Sequence, residues 1–200
     1  MNSIDSVIIE TPDPDASSRF FSAAFGVAGL LRVRESEAAT SGFRGFTLSL
    51  VVAQPSTVDS LVAAALAAGA TEVKPVSKSL WGYGGVVQAP DGTICTIASG
   101  SKKDTGPATL QIDDWVLQLG VDDVGASKRF YVDRGFTVAN GFGGTYVQFD
   151  GAEGSVKLAL YKRRGLAKTT GVSPDGSGSH RLAVVSDAGP FTDPDGYTWE

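Results

Sequence analysis

Cysteine, histidine and methionine each occur once in the chain. The lone Cys95 cannot close an internal disulfide, so the fold must hold without staples and a reducing, cytoplasmic setting is the expectation. Basic side chains are outnumbered, 17 Lys and Arg against 22 Asp and Glu, for a net charge of −5 and a pI near 4.9. A chain of that sign lacks the basic face that phosphate backbones require, which argues against a nucleic-acid partner. The basic runs Lys102-Lys103 and Lys162-Arg163-Arg164 are short and read as solvated loop ends. No apolar stretch approaches the ~18 residues of a membrane span. The opening MNSIDSVIIE also has no basic segment followed by an apolar run, so neither a membrane partner nor a leader peptide is expected.

What is present is ordinary globular material. With 42% hydrophobic residues over 200 positions, the chain can bury a real core in one or two small domains. Two stretches repeat. APDGTICT (89–96) is echoed by DPDGYTWE (193–200), and ASSRFF (16–21) by ASKRFY (126–131). Pro-Asp-Gly is turn chemistry: proline presets φ, aspartate bonds back to the backbone and glycine supplies a positive φ. Two matched pairs in the same order indicate a duplicated unit.

Residues 4–11 read as a strand. TPDPDAS then opens a helix with Asp13 as N-cap, Pro14 at its first position and Gly26 as its stop. A short strand over 30–34 follows. GFTLSLVV alternates as a strand, with Phe46, Leu48 and Leu50 on one face. PSTVDSLVAAALAAGA is a helix with Ser56 and Asp59 spaced as a capping box, and Leu61, Val62, Ala65 and Leu66 as its stripe. TEVKPV, WGYGGVVQ and the strand after Pro90-Asp91-Gly92 complete that unit. Ser99 to Leu110 is polar and rich in Gly and Ser, a linker. Beyond it come the strand WVLQLGV, a helix capped by Asp122 or Asp123 and stopped by Gly135, and three strands ending at VKLALY. SPDGSGS is a loop, HRLAVVS a strand, and the last hairpin follows with no room for a helix. The expectation is an α+β fold of four β-α-β-β-β units: two complete (43–98 and 112–161) and two truncated (4–34 and 179–200). The domains are set at 1–98 and 111–200, joined by the linker 99–110.

This arrangement resembles the vicinal oxygen chelate superfamily of glyoxalases, bleomycin-resistance proteins and extradiol dioxygenases. The stretches that carry the resemblance are VIIETPDPDASSRFF, VLQLGVDDVGASKRFY, the helix ending AALAAGA, the WGYGG loop and the two PDG hairpins. It implies curved sheets whose concave faces hold a metal or a ligand, with helices on the convex side. On that geometry Trp115, Leu117, Leu119 and Val121 face the helices, while Val116, Gln118 and Gly120 face the cup. Likewise Val7 and Ile9 pack toward the helices and Ser6, Ile8 and Glu10 line a cup. Cys95, Ile97, Tyr197 and Trp199 fall on the helix side, and Thr96, Thr198 and Glu200 on the cup side.

The resemblance also implies where metal ligands would stand. The positions are filled by Ser6 and Val116 in the opening strands and by Thr96 and Glu200 in the closing hairpins. Serine, threonine and valine are poor or impossible ligands for a divalent ion, so no metal is favoured. The alternative is a divalent Zn, Ni, Fe or Mn held by His180 and Glu200 and completed by a partner subunit, in a glyoxalase- or lyase-like enzyme. Cys95 reads as a small core residue, and the glycine runs GYGG and GFGG as hairpin loops, since neither has a phosphate loop's strand-then-helix context. The surviving cup and loop candidates are Ser6, Glu10, Trp81, Tyr83, Gln118, Tyr146 and Tyr161. Rings with polar handles suit a flat organic molecule. The expected function is therefore metal-free binding of a small aromatic or heterocyclic compound, of the resistance or sequestration type. Because truncated units leave open sheet edges, which they could close within the chain or across a two-fold axis, a homodimer is expected.

Overall fold

The computed structural model describes residues 2–26, 29–80 and 82–200. The chain opens with β1 (Ile4–Thr11), α1 (Pro14–Phe25), β2 (Leu31–Glu35) and β3 (Thr40–Gly42). A complete unit follows: β4 (Phe46–Val51), α2 (Pro55–Ala67), β5 (Thr71–Ser79), β6 (Gly82–Gln88) and β7 (Ile94–Ser99). The next comprises β8 (Asp114–Val121), α3 (Val124–Asp133), β9 (Val138–Phe142), β10 (Tyr146–Phe149) and β11 (Lys157–Lys162). The chain ends with α4 (Arg163–Thr170), β12 (Gly176–Gly178), β13 (Leu182–Ser186), β14 (Phe191–Thr192) and β15 (Thr198–Trp199).

Local chemistry accounts for most of these boundaries. Asp13 Oδ1 accepts from the Ala16 amide at 2.9 Å and Asp123 Oδ1 from the Ala126 amide at 3.0 Å, each satisfying a first-turn donor. Gly26 ends α1 in the left-handed region at φ 61°. Both Pro-Asp-Gly turns put their glycine at φ 89°. Each also holds a contact that explains the second repeat. Ser17 Oγ of α1 donates to Asp91 Oδ2 at 3.1 Å, and Ser127 Oγ of α3 donates to Asp195 Oδ2 at 2.8 Å. In both places a helix serine is tied to the turn aspartate of the unit that follows.

Three local expectations are corrected. The capping box on α2 does not form: Gln54 is the N-cap, and Asp104 accepts from the Ser56 amide at 2.8 Å instead. Asp104 comes from the stretch read as a linker, which is docked on α2 because Gln54 also bonds Thr105, Gly106 and Pro107. GYGG belongs to strand β6, where a Cβ on Gly84 would lie 2.7 Å from the Ile97 carbonyl oxygen. GFGG does turn between β9 and β10. Finally, Arg163 and Arg164 are not a loop end but the first turn of α4.

The strands form two large sheets. The eight-stranded sheet runs β5-β6-β7-β4-β8-β11-β10-β9, its complete units joined by the antiparallel pair β4 and β8. The five-stranded sheet runs β14-β15-β13-β1-β2, joined by the antiparallel pair β1 and β13. The two truncated units thus complete each other within one chain, so their pairing does not call for a second copy. A two-stranded ladder, β3 with β12, links the segments before β4 and before β13.

One continuous apolar core joins the helix-facing sides of both sheets. Trp115, Leu117, Leu119 and Val121 belong to it, as do Val7, Ile9, Cys95, Ile97, Tyr197 and Trp199, so the period-two alternation places every one of them correctly. Phe25 of α1 meets Trp115 edge-on at 6.2 Å, and Tyr131 of α3 lies 5.3 Å from Trp199.

Candidate functional site

The opposite, concave sides follow from the same register. Thr47 stands across from Gln118, Ser49 from Val116 and Tyr146 from Tyr161. Thr47 Oγ1 donates to Gln118 Oε1 at 2.7 Å, and Tyr146 Oη donates to Gln148 Oε1 at 2.6 Å. The rings of Tyr146 and Tyr161 lie 4.8 Å apart. Burial, with Tyr146 adding a smaller push, raises the Tyr161 hydroxyl to about 12, and burial raises Tyr146 too. Both phenols therefore stay neutral at physiological pH. The floor also carries small residues, among them Ser49, Gly84, Thr96, Ala98 and Ala159, together with the ion pair of Lys157 and Asp114 at 2.7 Å.

α4 lies over part of that floor. Its Leu166, Ala167 and Thr170 are fully buried, and the first two pack with Phe43 and Tyr161 in a small apolar cluster of their own. Gly120 permits the approach, since a Cβ there would sit 2.8 Å from the Gly45 carbonyl oxygen and 3.1 Å from Arg163 Cα. At the far end Lys74 Nζ of β5 donates to the Thr169 carbonyl at 3.0 Å, a cation on the negative end of a helix. Between Thr169 and strands β5 to β7 lies a cavity of about 340 Å³, lined by Ser77, Gly84, Val86, Thr96 and Ala98 among others.

The concave side of the five-stranded sheet is different. Ser6 and Ile8 are buried, and above them Arg34 joins two carboxylates: Glu10 at 2.6 Å and Glu200 at 2.8 Å. The hydrogen bond to Glu10, then that to Glu200, raises the Arg34 pKa further. Ser6 Oγ is buried without a hydrogen-bond partner among the described residues.

The sequence candidates are thereby divided. Gln118, Tyr146 and Tyr161 share the concave face of the eight-stranded sheet, whereas Ser6 and Glu10 belong to the five-stranded one. Tyr83 lines the 340 Å³ cavity at the end of β6 while its hydroxyl donates to Asp59 of α2, toward the helix side, at 2.7 Å. Trp81 lies outside the described residues. His180 and Glu200 are turned to separate partners. The His180 ring stacks on Tyr197 at 4.0 Å, with Nδ1 2.6 Å from the Arg44 carbonyl oxygen and Nε2 3.1 Å from that of Asp195. Glu200 is held by Arg34. Among the described residues no group of three His, Cys, Asp or Glu could hold a metal ion. These residues do not fit the metal centre that the family resemblance implies.

Sequence reasoning missed α4, Lys74 and Arg44. The available signal for α4 was Leu166, Ala167 and Thr170 at helical spacing ahead of Gly171, which ends it at φ 80°.

No protein-family model matches the chain, and no curated protein matches it. Solved structures do. Glyoxalase I from Zea mays superposes with a TM-score of 0.64 at 13% identity, covering 100% of this chain and 91% of that one. A point mutant of the same maize enzyme gives 0.66 at 14% identity over the same shares. A glyoxalase/bleomycin resistance protein/dioxygenase family enzyme from Burkholderia phytofirmans is 26% identical, with a TM-score of 0.45 over 48% of this chain and 98% of its own. At that score it adds nothing to the argument; the full-length superpositions establish the fold.

Proposed function

We propose that this chain, which has the fold of the vicinal oxygen chelate superfamily, binds a small aromatic or heterocyclic molecule on the concave face of its eight-stranded sheet without a metal ion. The observation that carries the reading is the 340 Å³ cavity, lined mostly by small residues, with Tyr83 on its wall and Lys74, engaged by the Thr169 carbonyl, at its edge. That volume is of the size that takes a small organic ligand. The paired rings of Tyr146 and Tyr161 offer a flat contact on the other limb of the same face, and the Gln118 and Gln148 amides offer polar handles. Among the described residues of this arrangement none is an activated nucleophile. Cys95 is fully buried and its thiol is pushed far above the ordinary range by desolvation. Holding a guest, as in sequestration or resistance, is what such a surface supports.

A thermal-shift screen of uncharged aromatic and heterocyclic compounds tests this, because a ligand bound only by the folded state raises Tm with concentration. A compound that stabilises the wild type should lose its effect in Thr96→Trp, which fills the cavity. Failure of every compound, or equal stabilisation of the filled variant, would overturn the reading.

A further inference from the structure

A second cavity, of about 310 Å³, opens at the other end of the same sheet, between the start of β4 and the strap that follows α4. Phe43, Phe46, Ile94 and Val172 give it apolar walls. Arg44 forms part of its lining and is itself 8% exposed. Its Nη2 donates to Thr93 Oγ1 and its guanidinium lies 5.0 Å from the Phe46 ring centroid. Its Nη1 is buried and has no hydrogen-bond partner among the described residues. Nor, among those residues, does any carboxylate form an ion pair with it. Asp91 is the nearest source of opposite field, but its oxygens are committed to Ser17 and the Thr93 amide.

A buried cation left half-satisfied is costly, because its desolvation is not repaid by a partner. The effect is visible in Arg44 itself, whose pKa is lowered by burial, with Arg181 adding to that and Asp91 opposing it. The missing partner must bring an oxygen acceptor and negative charge. It must also bring an apolar body to cover Phe43, Ile94 and Val172. The one carboxylate on the lining, Asp175, stands exposed at the rim, with Oδ2 accepting from Ser173 Oγ at 3.0 Å. A rim carboxylate disfavours a dianion more than a monoanion.

We propose that this cavity binds a small organic monocarboxylate, its carboxylate paired with the Arg44 guanidinium and its apolar body against Phe43, Ile94 and Val172. The inference is independent of the reading above, since it uses a different cavity and a charged group. Isothermal titration of the full chain with phenylacetate and with its neutral counterpart phenylacetamide tests it. Phenylacetate should bind saturably, and phenylacetamide at least about tenfold more weakly. Arg44→Met should abolish phenylacetate binding. Should that variant fail to fold, Val172→Trp fills the cavity from its wall while keeping the guanidinium, and it should abolish binding as well. Thr96→Trp, in the other cavity, should leave phenylacetate binding unchanged. Equal affinity for acid and amide would overturn the proposal. So would acid binding that survives both Arg44→Met and Val172→Trp, binding lost in Thr96→Trp, or no saturable binding up to about 10 mM.

Discussion

The two concave faces of this molecule are occupied in opposite ways. On the five-stranded sheet, one arginine lies between two carboxylates, half in solvent, over a buried serine and isoleucine. On the eight-stranded sheet, the floor is mostly of small residues, its Lys157 and Asp114 pair with each other at 2.7 Å, and the covering element is a helix seated by apolar contact. A face closed by partly solvated charges gains little stability from them. A face closed by fully buried leucine and alanine gains much more, and the cover then becomes part of the fold. The fold therefore dictates a hollow but not its contents.

Substitutions can break that contrast. The largest effect is expected for Leu166→Ala, which removes the centre of the α4 contact and should cost about 2–5 kcal/mol in denaturant unfolding. If α4 were only a loose lid, the change would appear as faster amide exchange in 163–170 with global stability intact. Gly120→Val forces a side chain against the Gly45 and Arg163 backbone and should cost about 1–3 kcal/mol, read in the same experiment. On the five-stranded face, Arg34→Met should cost only about 0–1 kcal/mol, and the difference from wild type should shrink with added salt. Lys74→Met takes the cation off the C-terminal end of α4 and should cost about 0.3–1 kcal/mol, with exchange quickening first at Thr169 and Thr170.

The subtlest difference is in alkaline titration. Tyr161 has its pKa raised by burial, so the stability it contributes is full below the ordinary tyrosine range and is lost as pH rises through about 12. Tyr161→Phe should flatten that alkaline decline, measured as denaturant midpoint against pH.

Much of this was legible because it rests on short-range rules. Period-two alternation placed Trp115, Leu117, Leu119 and Val121 in the core, and Asp13 and Asp123 cap where a side-chain oxygen can reach a first-turn amide. The repeats pointed to the four units, and the absence of a helix in the last one stands, with only a turn between β13 and β14. The misses share one cause, a partner distant in sequence. Ser56 looks like a cap until Asp104 takes its amide. α4 buries only Leu166, Ala167 and Thr170, too few apolar positions to stand out from a basic, glycine-containing stretch. Arg44 gives no local sign that it is buried, since only the tertiary arrangement closes over it.

The pairing of β1 with β13 has a consequence for how the protein is made. A ribosome releases the first strand long before the one that hydrogen-bonds to it, while the larger sheet has all its strands once Lys162 has emerged. Long-range pairings of that kind form late. The opening strand must wait, with one edge unpaired, until residues 182–186 have emerged. Nascent chains that stall short of β13 would be the most exposed to aggregation and the most dependent on chaperones.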